Sequence, residues 1–96
     1  IFVDTDQNPK TGFIINGIGA EILFENDTAN AYAGSGADWN WTPGESPVSF
    51  ENTGAVVLWK IPRSLLTAER FDVVFQLVDT HWNAVFATPK ITYTVQ

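Results

Sequence analysis

Asp4, Asp6 and Asn8 alternate in the stretch "DTDQNPKTG", which puts three hard oxygen donors on one short segment. In a D-x-D-x-N pattern the loop curls and its side-chain oxygens converge on a cation of the calcium type, which takes about six to eight oxygens. Three side chains fall short of that number, so backbone carbonyls, waters or a distant acid must supply the rest. Lys10 is placed to offer its carbonyl, and Glu21, on a neighbouring strand, is the first choice for the acid. An EF-hand is excluded: its sixth position is Pro9 rather than Gly, and its twelfth is Ile15 rather than Glu. The competing reading is a solvated Asx turn before Pro9, because Asp and Asn also cap their own backbone. Three alternating oxygens at a strand end exceed what a turn needs. That favours an ion, in a structural role that pins the loop.

A second constellation is aromatic. Trp39 and Trp41 stand two apart in "ADWNWTPGES", Tyr32 precedes them, and Trp82 lies in "DTHWN" beside Asp79, His81 and Asn83. Residues two apart on a strand share a face and lie about 6.8 Å apart, so Trp39 and Trp41 are expected to form a flat two-ring platform. Indoles stack on the apolar C–H faces of pyranose rings, and amides, carboxylates and imidazoles bond their hydroxyls. Aromatic anchors of this kind bring large contact area, while polar neighbours fix orientation. The alternative is that these rings are core, since Trp is usually largely buried. Trp59, inside "AVVLWKI", and all seven Phe are assigned to the core on that ground. Trp39 and Trp41 lack aliphatic neighbours, so at least one of them is expected at the surface, as is Trp82 after its polar turn.

The elements that position these groups are strands. In "IGAEILFEN" Ile18, Ala20, Ile22 and Phe24 alternate with Gly19, Glu21, Leu23 and Glu25, a period of two with one buried face. "GAVVLWKIP" and "FDVVFQLVD" are apolar nearly throughout, as strands covered on both faces in the middle of a sandwich are. "KITYTVQ" reads as a closing strand, and one helical turn is expected after Pro62 in "PRSLLTAE". Turn residues in "NPKTG", "NGIG", "GSGAD", "TPGESP", "ENTG" and "ATPK" separate the runs. Seven to nine short strands at this spacing predict one all-β domain over residues 1–96, an antiparallel β-sandwich of jelly-roll type.

Composition narrows the function. With 96 residues, 45% apolar and 17% charged, the chain supports one modest core. Eleven acids against five bases leave a net charge of −6. Nucleic acid is a poor partner for such a surface, because nothing would displace phosphate counterions. There is no cysteine, so disulfides and thiolate metal sites are excluded. No apolar run is long enough to span a bilayer, so no membrane partner is expected. The chain opens inside a strand, and we expect a module whose leader and partner domains lie outside it. Glycosidases need two carboxyls facing across a cleft, and Glu21, Glu25 and Asp79 sit in a chain without long loops to wall one. The single histidine has no Ser or Cys motif around it, and a Met-ligated haem is excluded by the absence of Met. Nothing here argues for turnover.

Taken together, "VDTDQNPKTGF", "GIGAEILFE" and "AYAGSGADWNWTP" resemble the opening of small secreted sandwich domains related to family 9 carbohydrate-binding modules. Those domains carry a D-x-D-N-x-x-T-G-like calcium loop, a G-x-G-A-[DE] strand, a Tyr, and a D-W-x-W stretch. The likeness spans roughly the first 45 residues and continues weakly to "FQLVDTHWN". In length and in being an isolated module the chain is also similar to family 81 modules, which bind β-1,4-glucans as appendages of cellulases. The resemblance implies a β-sandwich, a bound calcium ion, and surface aromatics that recognise β-glucan. By position, Asp4, Asp6 and Asn8 match the calcium loop, Glu21 matches the acid of the strand, and Tyr32, Trp39, Trp41 and Trp82 fall where stacking aromatics sit. The loop departs from the pattern at Gln7-Asn8-Pro9. The expectation is a secreted, monomeric, non-catalytic module that docks an appended glycoside hydrolase onto β-1,4-glucan: cellulose, cello-oligosaccharide, xyloglucan or glucomannan. Two rivals stand beside it: a calcium-binding adhesion or protein-interaction sandwich, and an enzyme fragment with Glu21 and Asp79 as acid and base.

Overall fold

The computed structural model describes residues 1–44 and 48–95, so part of the predicted "TPGESP" turn and the terminal Gln96 lie outside the described residues. Twelve short strands follow in chain order among them: β1 (Phe2–Asp4), β2 (Phe13–Ile15), β3 (Ile18–Ala20), β4 (Ile22–Glu25), β5 (Thr28–Tyr32), β6 (Trp41–Pro43), β7 (Ser49–Asn52), β8 (Val57–Lys60), β9 (Arg70–Val74), β10 (Gln76–Val78), β11 (Ala84–Ala87) and β12 (Ile91–Thr94). A single 3-10 turn, Arg63–Leu65, follows Pro62, where the sequence puts its one helical turn. No helix among the described residues is long and apolar enough to cross a membrane.

The architecture is all-β and sandwich-like. Six strands form one antiparallel sheet in the order β12-β9-β1-β4-β5-β6, and the pairs β2–β3, β7–β8 and β10–β11 are separate hairpins. The number of strands exceeds the seven to nine expected because the hairpins break off from longer apolar runs. Asn16 and Gly17, both at positive φ (46° and 87°), close the β2–β3 hairpin in the two-residue form that such residues favour.

β1 lies inside the sheet, between β9 and β4, and its side chains alternate between two cores. Phe2 points to one face with Ile18, Ala20, Leu23 and Val74, and Val3 points to the other with Phe24, Val48, Phe71 and Val73. The pairing follows the pleat: Phe2 stands opposite Leu23 and Val74, and Val3 opposite Val73. Full two-faced burial is met in β9, where Phe71 through Val74 are all buried.

Three expectations are corrected. The run "IGAEILFEN" is not one strand with one buried face. It breaks at Glu21, so Ile18 and Ala20 share a core with Leu23, while Phe24 lies in the other. The break is held by backbone bonds in which Glu21 N–H donates to the Val3 carbonyl at 3.0 Å and Tyr32 N–H donates to the Glu21 carbonyl at 2.9 Å. Second, Val56 to Leu58 and Phe75 to Val78 are not central sandwich strands: they lie in or beside hairpins, and Val56, Val57, Leu58, Phe75, Leu77 and Val78 are exposed. A two-stranded hairpin away from the main sheet has no layer over one of its faces. Third, the Phe residues are not all core. Phe2, Phe24 and Phe71 are buried, Phe13 and Phe50 half-buried, and Phe75 and Phe86 exposed.

Candidate functional site: an acidic loop and a tryptophan-lined cleft

The acidic loop leaves the end of β1 and lies over β3. Asp4 is buried, with its carboxylate accepting the Gly19 N–H at 3.1 Å and the Asn8 N–H at 3.2 Å. Asp6 accepts the Asn8 N–H at 3.0 Å and the Thr11 hydroxyl at 2.8 Å. Glu21, at the break between β3 and β4, accepts the Thr5 N–H at 2.9 Å and the Thr5 hydroxyl at 3.2 Å. Gln7 takes a positive φ of 52°, and its side-chain amide donates to Asp72 at 3.2 Å. Asp72, buried on β9, also accepts the Thr92 hydroxyl at 2.6 Å, so the loop is tied to two strands of the main sheet.

The fold thus gathers three carboxylates, with Asp4, Asp6 and Glu21 oxygens all within 4.8 Å of one another. That separation is about twice a calcium–oxygen distance of ~2.4 Å, so one ion can touch all three. Electrostatics mark the same spot. Burial pushes the Glu21 carboxyl up to about 7, the charges of Asp6 and Asp4 adding to the effect and the Thr5 hydrogen bonds opposing it. Burial and a hydrogen bond shared with Asp6 raise Asp4 as well. In Asp6, burial is outweighed by hydrogen bonds from Asp4, Thr11 and Asn8, and its carboxyl is held below the usual value. A divalent cation would relieve this crowding of charge. The donor set fits calcium in chemistry, with hard oxygens only. The Asn8 side-chain oxygen accepts the Lys10 N–H at 3.0 Å, an Asx turn within the motif. Lys10 is exposed.

The aromatic residues divide into packed and displayed. Trp41, on β6, is half-buried and packs against Tyr32 (4.9 Å between ring centres), Phe13 (5.9 Å) and Phe2 (6.2 Å). Trp39 lies outside any strand and is 59% exposed. Its ring meets Trp41 at 5.7 Å and 68°, and Phe13 at 5.3 Å and 90°. The flat platform expected from the two-residue spacing is therefore absent; Trp39 stands edge-on to the cluster, because the chain is not a strand there. Tyr32 is not a displayed ring either. Its hydroxyl donates to Asp38 (2.7 Å to the carboxylate), accepts the Gly36 N–H at 2.8 Å, and so ties down the loop that carries Trp39. The Ser35 N–H donates to the same Asp38 oxygen at 2.7 Å, and this bond and the Tyr32 hydroxyl hold the Asp38 carboxyl below its usual range.

Trp82 is 64% exposed at the tip of the β10–β11 hairpin, with φ at 64°. A bulky residue in the left-handed region is strained. The turn is clamped by Asp79, whose carboxylate accepts the His81 N–H at 2.8 Å and the Asn83 N–H at 2.9 Å. The bond from Asn83 leads in drawing the Asp79 carboxyl below its usual value.

Trp39 and Trp82 look into one cleft of about 570 Å³, together with Trp59. The β7–β8 hairpin contributes Phe50, Asn52, Val57 and Trp59 to its lining, the β10–β11 hairpin contributes Gln76, Leu77 and Val78, and Phe2, Leu23 and Phe24 of the main sheet line it too. Glu25 and Asn26, where β4 leads into its turn, also line it, and the Trp59 indole N–H donates to the Asn26 carbonyl at 2.8 Å. The volume lies inside the ~300–1,000 Å³ of ligand sites, which are lined by apolar rings with a few polar groups. Glu25 is the one acidic or basic side chain in the lining.

Of the residues singled out in the sequence, the fold brings Asp4, Asp6 and Glu21 together at one end and Trp39 and Trp82 together at the cleft. Tyr32 and Trp41 are in the packed cluster behind it, and His81 and Asn83 are on the Trp82 turn without lining the cleft. Sequence reasoning missed Trp59 as a lining residue, because its apolar run reads as core. It also missed Asn26, Asn52 and Gln76, whose positions in three separate segments carry no shared pattern. No protein-family model, no curated protein and no solved structure matches the chain.

Proposed function

We propose that this chain is a non-catalytic carbohydrate-binding module, secreted and monomeric, that holds a β-1,4-glucan and so anchors an enzyme domain carried on the same polypeptide. The observation that supports the reading best is the cleft: two exposed indoles, a third half-buried one, and the polar side chains of Asn26, Asn52 and Gln76, with a single charged side chain in the lining. Apolar ring faces and hydroxyls on one ligand match such a surface, and an uncharged polymer requires no electrostatic steering. Calcium at Asp4, Asp6 and Glu21 would be structural, holding the β1–β2 loop to the sheet in a domain without disulfides.

Affinity electrophoresis in hydroxyethylcellulose or mixed-linkage β-glucan tests this. Retardation that is lost in Trp82→Ala supports the module, and unchanged mobility in every polysaccharide defeats it. Release of sugar from the same glucans would favour an enzyme instead.

A second reading, a protein-interaction sandwich, draws on a specific feature. Leu77, Val85 and Phe86 leave the β10–β11 hairpin widely exposed, with Phe86 at 58%. Large exposed apolar residues grouped on one element mark binding surfaces. Under this reading Phe86→Ser abolishes association with a protein partner, and glucans leave mobility unchanged.

A further inference from the structure

We infer that the ligand is a single, detached glucan chain lying between the two hairpins, and that the flat face of crystalline cellulose is rejected. This rests on the carbohydrate reading above and concerns the physical form of the ligand. A crystalline face is a plane, so binding it takes several aromatic rings lying in one plane at the surface. Trp39 shares no plane with the rings of its own cluster. Trp39 stands at 68° to Trp41 and at 90° to Phe13, and Trp41, Phe13 and Tyr32 are half-buried behind it.

The concavity argues in the same direction. Trp39 and Trp82 both line one cleft, together with residues of the β7–β8 and β10–β11 hairpins and with Glu25 and Asn26. Indoles presented from separate elements can stack on successive rings of one chain. A crystal surface could touch only the outer rims. The amides that line the cleft, Asn26, Asn52 and Gln76, match a chain whose hydroxyls are free on all sides. In a crystal those hydroxyls are bonded to neighbouring chains.

The strain at Trp82 adds a device for this. The Asp79 carboxylate holds two backbone N–H groups and keeps the turn in a conformation that a tryptophan rarely adopts. A turn whose backbone is already fixed loses little freedom when the chain arrives.

The experiment pairs two measurements on the same protein. Intrinsic fluorescence is titrated with cello-oligosaccharides of increasing length, and depletion from solution is measured over microcrystalline cellulose. The expected result is affinity that rises with length until the cleft is filled and then levels off, with no depletion by the crystalline solid. Trp39→Ala and Trp82→Ala should each weaken oligosaccharide binding at least about tenfold, with melting temperature unchanged in Trp82→Ala and modestly lowered in Trp39→Ala, whose ring also packs against Phe2, Phe13 and Trp41. Depletion by microcrystalline cellulose as strong as binding to the soluble chains overturns the single-chain inference and leaves the carbohydrate reading standing. Silence towards every glucan, soluble and crystalline, defeats both.

Discussion

The backbone amide of Gly19 donates to the buried carboxylate of Asp4 at 3.1 Å, and a side chain on Gly19 would overlap the carbonyl oxygens of Thr11 and Asn8. The two residues thus lock the acidic loop onto β3: one supplies the acceptor, the other supplies the space. Gly19→Ala must push the loop away from the strand. We expect a loss of about 1–3 kcal/mol, the range for overpacking a tight site, together with loss of any calcium-dependent rise in melting temperature. Thermal unfolding with calcium and with chelator measures both, and a wild-type response in Gly19→Ala would contradict this packing.

Metal-free protein should lose stability as pH rises from 4.5 to about 6, above which the Ile1 amino group, pulled down from 8.0 to about 6 by burial, works in the opposite direction. The Glu21 carboxyl has an ordinary value of 4.5 and is pushed up to about 7 by burial and by Asp6 and Asp4. A raised carboxyl binds its proton more tightly in the folded state than in the unfolded one. Its contribution is therefore complete below pH 4.5 and is lost as pH climbs through the folded value. Asp4 is raised too and acts in the same direction. Glu21→Gln should flatten this descent, and calcium should oppose it by favouring the ionised carboxylates. Melting temperatures across the window, in chelator and in calcium, check the sign. A metal-free stability that climbs there would refute it.

Trp41→Ala should cost stability rather than affinity. The ring is half-buried among Phe2, Phe13, Tyr32 and Trp39, so its loss opens a gap in the cluster. We expect about 2–3 kcal/mol, below the ~3–5 of a fully buried aromatic. Denaturant unfolding measures the cost, and glucan binding is scored on the fraction that remains folded. A variant of native stability that no longer binds would reverse the roles assigned to Trp41 and Trp39.

Trp82→Gly should separate stability from binding. Glycine occupies the left-handed region without the penalty of about 1–2 kcal/mol that a side chain meets there. The exposed indole gives up little packing when it is removed. The melting temperature should hold or rise while oligosaccharide binding disappears. Calorimetry and fluorescence titration on one preparation suffice, and a marked drop in melting temperature would show that the ring stabilises the hairpin instead.

Polar replacement on the outer hairpin should be nearly silent for folding. Val85 and Phe86 are 68% and 58% exposed, so Val85→Thr with Phe86→Thr should shift stability by no more than about 0.5 kcal/mol. A large loss would place β11 in a buried layer, as the apolar run had suggested for its partner strand.

The sequence by itself determined the class of the fold and the local chemistry of two loops. Period-two alternation and turn residues such as Asn16-Gly17 act over a few residues, so they are legible without tertiary information. The alternating oxygens of Asp4, Asp6 and Asn8 are equally local, and Glu21 could be named as the fourth donor from its place on the next strand. Only the tertiary structure decided that Asn8 turns its oxygen to Lys10 N–H, while Thr5 and Thr11 reach the carboxylates. It also decided which apolar runs are covered. "FDVVFQLVD" splits into a buried β9 and an exposed β10 because burial depends on whether another layer arrives, which no short window encodes. The tryptophans make the same point. Spacing put Trp39 and Trp41 on one face, but Trp39 lies outside a strand, and the fold made it line one cleft with Trp59 and Trp82 from distant segments.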